Sequence, residues 1–188
     1  HALLLYGRAA DKGRLYAQKK YAYENNLSTL LSSSGVSIVS YDLLVSQTAH
    51  DEAGKKVKRD DLPGWSERLR NEYFDLVILD ESHYLRGHKS ERREKVKRAL
   101  TNTPVVWALT GTPVFGYVRD LWSQLDILSN GLFGKNHFPF QVRYADAGHG
   151  TYGWEANGRS NEEELEKRLR HIKLQRPRSI ILKEILLP

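Results

Sequence analysis

With 188 residues, no cysteine and a formal net charge of +6, the chain is one domain by length, large enough to bury a substantial core. Disulfides and thiolate metal sites are excluded, and no stretch approaches the roughly 20 apolar residues of a membrane span. Methionine is absent, residue 1 is His and no signal peptide is visible, so the first residue reads as a cut site or the edge of an ordered region, and the chain as intracellular rather than secreted.

In chain order, Ala2–Tyr6 reads as a strand, and Leu15 to Leu31 mixes apolar and charged residues at helical spacing. Val36–Ser40 is a second strand. Lys55-Lys56-Val57-Lys58-Arg59 forms a basic run in a polar, Gly-containing stretch, and the segment from Asp60 to Tyr73 contains a helix. Trp65, Leu69 and Tyr73 fall at i, i+4 and i+8 on that helix, a face suited to the core. Leu76–Leu79 is short, partly β-branched and apolar on both parities, the pattern of a parallel strand covered on both faces. A basic segment follows, with Arg86, Lys89, Arg92, Arg93, Lys95, Lys97 and Arg98, and its helix is ended by Thr101-Asn102-Thr103-Pro104. Its cations suit either a solvated face or contact with a nucleic-acid backbone. Pro104 to Thr112 is another apolar, buried strand ending in small hydroxylated residues, and Val118 to Leu128 a helix whose Trp122 belongs to the core. Gly131 to Gly158, rich in Gly, His, Phe and Tyr, reads as a surface excursion in which Trp154 is either packed or free to stack on a base. Ser160 with Glu163 three residues on has the pattern of a capping box, opening a helix that runs to about Leu174.

Two strand ends carry chemistry. The run through Leu79 stops abruptly at Asp80-Glu81-Ser82-His83, and the strand from Val105 stops at Thr110-Gly111-Thr112-Pro113. Ligands of open α/β sheets bind beyond the carboxyl ends of the strands, so Asp80 and Glu81 stand where a Mg²⁺–nucleotide would be held. An acidic surface turn would account for the same residues. With a helix between them, the two strands make a βαβ unit whose right-handed crossover brings both tips to one edge. Thr110 and Thr112 would then face the acids. Zinc finds little support: His83 and His88 are not at the i, i+4 spacing of a helical zinc pair and no third ligand is evident.

These stretches resemble, in order and spacing, the motifs of superfamily-two helicases. Asp80-Glu81-Ser82-His83 is similar to their motif II and Thr110-Gly111-Thr112-Pro113 to their motif III. Ile38-Val39-Ser40-Tyr41-Asp42-Leu43-Leu44 resembles motif Ib of the Snf-type DNA translocases, a chromatin-remodeller-like group, and Leu121 to Leu128 the helix that follows motif III. Gly153-Trp154 through Leu165, with Arg176 to Pro188, resemble the end of the first motor lobe in the annealing-helicase branch. The resemblance implies an α/β, RecA-like parallel sheet flanked by helices, with residues 1–130 running from motif Ia through motif III and residues 131–188 completing the lobe. It also implies ATP and Mg²⁺ as cofactors, and DNA held through its backbone without reading sequence. Asp80 would hold the metal, Glu81 would position or activate water, and His83 with Thr110, Gly111 and Thr112 would relay nucleotide state. Ser40 and Tyr41, with Arg8 and Lys12, would lie near the tracked strand.

The departures are equally plain. No Gly-x-x-x-x-Gly-Lys-Ser/Thr occurs, so this is a partial lobe without the phosphate-cradling loop, which the family places upstream of Ala2–Tyr6. The segment from Gly7 to Lys12 lacks the Pro and Ser usual in motif Ia, and Pro177 interrupts the family's final basic stretch. Motifs IV to VI, which belong to a second RecA-like lobe carrying the arginine finger, have no counterpart. Because phosphoryl transfer depends on positioning and charge stabilisation, these residues alone are expected neither to hydrolyse nor to bind ATP tightly. A second reading, of another class, is a degenerate helicase-like lobe that holds DNA or a protein. A two-metal nuclease ranks below both, for want of further carboxylate or His ligands.

Overall fold

The computed structural model describes residues 2–4, 36–45, 48–50, 56–58, 65–114, 116–129 and 131–175. The helical reading of Leu15 to Leu31 and the basic tail from Arg176 lie outside these residues. Strand β1 (Ala2–Leu4) pairs in parallel with β2 (Val36–Ile38), Ala2 opposite Val36 and Leu4 opposite Ile38. Helix α1 (Tyr41–Val45) follows, then an antiparallel pair absent from the sequence reading, β3 (Thr48–His50) with β4 (Lys56–Lys58). Part of the basic run therefore belongs to a strand. Helix α2 (Trp65–Arg70) buries Trp65 and Leu69, but ends before Tyr73, which is exposed.

β5 (Val77–Leu79) and β6 (Val106–Ala108), joined through α3 (Glu91–Ala99), form the second parallel pair, with Val77 opposite Val106 and Leu79 opposite Ala108. Two parallel pairs, the second connected through α3, with helices packed beside them make an α/β fold, and parallel pairing of this kind requires a crossover rather than a hairpin. Side chains alternate across a strand. Val77, Leu79 and Val106 therefore point together into a core built from Leu43 and Leu44 of α1, Trp65 and Leu69 of α2, and Val96 and Ala99 of α3. The opposite face departs from the two-sided burial expected of these apolar runs. Register partners Ile78 and Trp107 are 51% and 56% exposed, while α1, α2 and α3 pack on the Leu79 side.

After a short 3₁₀ turn (Val118–Asp120), α4 (Leu121–Ser129) joins two cores. Ile127 packs on the first, while Leu121, Trp122 and Leu125 enter a second. Trp122 is buried as expected, and full burial of a large apolar side chain is worth about 1.5–3 kcal/mol. The second core overturns the reading of Gly131 to Gly158 as a surface excursion. That stretch contains α5 (His137–Tyr144) and an antiparallel hairpin, β7 (Gly148–Gly150) with β8 (Gly153–Glu155). Phe133, Phe140, Tyr144, Ala145 and Ala156 are all buried there. Pro139 is tolerated in α5 because first-turn N–H groups have no helical acceptor to lose.

Helix α6 (Glu162–Leu169) closes this core with Leu165 and Leu169. It starts later and ends earlier than its sequence suggests, and Ser160 does not cap it. The Ser160 hydroxyl donates to the Arg143 carbonyl at 2.8 Å and accepts the Asp146 N–H at 3.2 Å. A tertiary contact has taken the oxygen that a capping box would use. Trp154 is held rather than free: it stacks on Phe138 at 4.6 Å, and its indole N–H donates to Gln141 Oε1 at 3.2 Å.

Candidate functional site

The β5–β6 ladder continues past both strands, since the Leu109 N–H donates to the Leu79 carbonyl and the Ser82 N–H to the Leu109 carbonyl, each at 2.9 Å. The acidic and threonine-bearing tips are thereby laid side by side. Asp80 is exposed at its tip, with Oδ1 accepting the Glu81 N–H at 3.0 Å. Glu81 then adopts φ 48° and ψ 48°, the left-handed region that side chains other than Gly, Asn and Asp seldom enter. This conformation turns the chain from the strand into a 3₁₀ turn (Ser82–Leu85), anchored by buried Ser82 and Leu85. Strain held in place by such anchors is a feature of functional turns.

The same turn folds the Glu81 carboxylate back on the imidazole, with Oε2 3.1 Å from His83 Nδ1. That nitrogen also lies 3.1 Å from Thr110 Oγ1, which accepts the Thr112 N–H at 3.1 Å. An ionised carboxylate only accepts, so the Nδ1 proton is assigned to the ring and shared between Glu81 and Thr110. A polar chain thus runs from Glu81 through His83 to the Thr110–Thr112 backbone. Gly111, between them, is exposed, and a Cβ there would meet nothing within 4 Å.

Ser40 and Tyr41 stand beside the acids. Ser40 Oγ accepts the Leu43 N–H at 3.3 Å and caps α1. The Tyr41 hydroxyl donates to the Asp80 carbonyl at 2.7 Å. Burial, then the Asp80 and Glu81 carboxylates, push its phenol up to about 12, against the lowering effect of Arg92. Tyr41 therefore remains a protonated donor across the physiological range. Arg8 and Lys12 lie outside the described residues.

Among the described residues no three His, Cys, Asp or Glu side chains cluster as metal ligands. Mg²⁺ keeps several waters and binds through one or two carboxylates plus substrate phosphates rather than through an all-protein cage. Asp80, exposed at the strand tip, fits the role of the single carboxylate. The two histidines weighed for zinc point to different partners: His83 faces Glu81 and Thr110, while His88 stacks on His137 at 3.7 Å between centroids.

The basic helix follows neither of the two readings offered for it in full. Arg92 pairs with Asp42 of α1 at 2.6 Å, Arg98 with Glu67 of α2, and Arg93 with Asp126 of α4, which Lys97 also reaches at 2.6 Å. These cations tie α3 to its neighbours. Sequence reasoning also passed over Gln124. It accepts from the Ser82 hydroxyl at 2.9 Å and donates to the Pro113 carbonyl at 2.8 Å. Polar residues inside an otherwise apolar helix were the available signal, because buried polar groups need partners.

An α/β lobe with paired, chemically loaded strand tips is a RecA-like arrangement. Its backbone is similar to a Sulfolobus solfataricus SWI2/SNF2 ATPase core in complex with dsDNA, with a TM-score of 0.57 and 19% identity over 93% of this chain and 28% of that one. At that identity the likeness speaks for the fold. Residues 11–188 match the SNF2-related domain, and the chain belongs to that family. It is 37% identical over 107 residues, 57% of this chain and 14% of the relative, to a Drosophila melanogaster SWI/SNF-related matrix-associated actin-dependent regulator of chromatin subfamily A-like protein 1. Against the human DNA annealing helicase and endonuclease ZRANB3 it is 27% identical over 159 residues, 82% of this chain and 13% of the relative. The chain thus spans only about a seventh of these curated relatives. No helix among the described residues is long and apolar enough to cross a membrane.

Proposed function

We propose that this chain is part of the first motor lobe of an intracellular, DNA-dependent ATP-hydrolysing translocase. The observation that carries the reading is the polar chain from Glu81 through His83 to Thr110, each link 3.1 Å, across two adjacent strand tips. Such a bridge gives the Thr110-Gly111-Thr112 turn a way to respond to what happens at the acids. In this reading Asp80 is the carboxylate that would hold Mg²⁺, which supplies charge stabilisation to the transferring phosphoryl group when bound with ATP. Glu81 orients or deprotonates the attacking water, and His83 fixes the Glu81 carboxylate through the shared Nδ1 proton. A phosphate-cradling loop and a second RecA-like lobe with its arginine finger complete the catalytic machinery from outside these 188 residues, which alone neither hydrolyse nor tightly hold ATP. Duplex DNA, contacted through its backbone and so without base information, is the track; Ser40, Arg8 and Lys12 are candidate contacts to it.

The test is Glu81→Gln in the full-length protein, assayed for DNA-stimulated phosphate release and for duplex binding. Loss of a catalytic base lowers turnover by about 10²–10⁴-fold, while DNA affinity should stay unchanged. Turnover close to that of the wild type would remove Glu81 from the chemistry.

A further inference from the structure

Gln124 is buried on α4, outside both sequence motifs, yet it touches each of them. The Ser82 hydroxyl of the acidic turn donates to its Oε1 at 2.9 Å, and its Nε2 donates to the carbonyl of Pro113, which closes the threonine turn, at 2.8 Å. The amide orientation follows from its partners. A proline carbonyl can only accept, so Nε2 must face Pro113, which leaves Oε1 for Ser82. Ser82 is buried and its backbone N–H is bound to the Leu109 carbonyl at 2.9 Å. Its hydroxyl therefore reports the position of the acidic turn to whatever it bonds. The Pro113 carbonyl lies one residue beyond Thr112, at the end of the threonine turn.

We infer that Gln124 is a positioning residue that couples the acidic turn to the threonine turn from beneath, so that the two shift as one unit when nucleotide state changes. The inference rests on the ATPase reading above and deepens it. The His83–Thr110 contact joins the turns on the accessible side, in reach of solvent and ligand. Gln124 joins them from the side of the core: its bond to Ser82 is buried, where water cannot substitute for a lost hydrogen bond, and its bond to the Pro113 carbonyl is partly buried. With both links the turns are held at two points, which fixes their relative orientation as well as their separation. The backbone bond from the Ser82 N–H to the Leu109 carbonyl sets the strand ends side by side, and the two side-chain links act beyond it, on the turns themselves.

The experiment uses the full-length protein with duplex DNA, comparing wild type, Gln124→Met, Ser82→Ala and the double variant. The readouts are ATP KM, DNA-stimulated kcat and the thermal unfolding midpoint. Gln124→Met keeps the volume and removes both hydrogen bonds; Ser82→Ala removes one of them with little change in packing. Each single variant should lower stimulated kcat about tenfold, with KM for ATP held within about twofold. The double variant should be no worse than Gln124→Met, since both substitutions cut the same link. A merely structural role would lower the unfolding midpoint without splitting kcat from KM. Wild-type kcat in both single variants, or losses that multiply in the double variant, would overturn the inference. If Gln124→Met does not yield folded protein, Ser82→Ala alone decides. A wild-type protein that shows no DNA-stimulated hydrolysis would bring down the ATPase reading itself, a result separate from wild-type protein turning over and the variants matching it.

Discussion

The tie between α3 and α4 is the interaction whose loss should be felt most strongly. Arg93 and Asp126 are 4% and 3% exposed and paired with each other, and the Arg93 guanidinium also lies 5.0 Å from the Trp122 ring. Asp126→Asn keeps the shape of the side chain and removes its charge. Breaking a buried ion pair from one side costs about 3–5 kcal/mol, because the remaining charge is left without a counter-charge in a poor solvent. Here the low end applies. Arg93 retains Glu94, but that carboxylate is 58% exposed and largely screened. Lys97, 39% exposed, can turn to water when Asp126 is neutralised and adds little. The expectation is therefore a local loss of about 3 kcal/mol, against less than about 1 kcal/mol for Lys97→Ala. Hydrogen–deuterium exchange of the α3 and α4 amides in the full-length protein reads this directly as an opening free energy. Their exchange should accelerate roughly 150-fold, at a factor of ten for every 1.4 kcal/mol. An Arg93→Met/Asp126→Leu double variant should recover most of the protection, since apolar pairs of similar volume replace buried ion pairs at little or no cost. The reasoning is refuted if Asp126→Asn exchanges like the wild type, or if the double variant is worse than the single one.

Two further outcomes follow from particular contacts. His88 and His137 are stacked, and burial first, then neighbouring cations including Lys89 and Arg93 (with His137 itself acting on His88), hold both below the ordinary histidine value of 6.5. The unfolded chain therefore binds more protons than the folded one once pH falls below that value, so the stability present at neutral pH is lost towards the lower folded values. Thermal midpoints should drop between about pH 7.5 and pH 5, and His137→Phe, which keeps a ring against His88, should flatten the curve; an unchanged slope would show that the pair does not titrate differently on folding. Tyr41→Phe removes the donor to the Asp80 carbonyl, a contact worth about 1 kcal/mol. In the full-length protein it should slow ATP turnover while leaving duplex affinity intact, and loss of DNA binding alone would instead place Tyr41 on the track.

What could be read in the sequence was whatever depends on neighbours along the chain. Apolar runs that stop at a polar cluster marked both β5 and β6, and the Thr101–Pro104 breaker marked the end of α3, because strand burial and helix termination leave local signatures. That the two strand tips share one edge followed from one topological rule, the hand of a βαβ crossover, whereas a part for His83 between them was implied only by the family resemblance. Local signatures failed where a distant group competes for the same atom. Ser160 has the spacing of a cap, yet the Arg143 carbonyl and Asp146 N–H claim its hydroxyl. Between Gly131 and Gly158, glycines and histidines diluted the pattern, although Phe140 and Tyr144 four residues apart already share a helix face.

The buried polar contacts of α3 and α4 show why this limit is physical rather than a matter of closer reading. Arg93 looks identical in sequence to its exposed neighbours, and its carboxylate partner lies 33 residues further on. Nothing local distinguishes a cation that will be solvated from one that will be buried. The distinguishing information sits on the other side of the contact, in α4. There Gln124 and Asp126 stand in a helix whose residues from Leu121 to Asp126 are all buried. A helix buried on every side leaves its polar side chains dependent on partners elsewhere in the fold; Gln124 and Asp126 find theirs, whereas the buried Ser123 hydroxyl has none among the described residues. Polarity on such a helix therefore says that partners are needed without naming them. In this chain one set of partners holds the lobe together, through Arg93 and Lys97, and the other reaches the two strand tips, through Ser82 and Pro113. Contacts that tie α4 to α3 and contacts that reach the strand tips thus stand two residues apart on a single buried helix, and only the fold separates them.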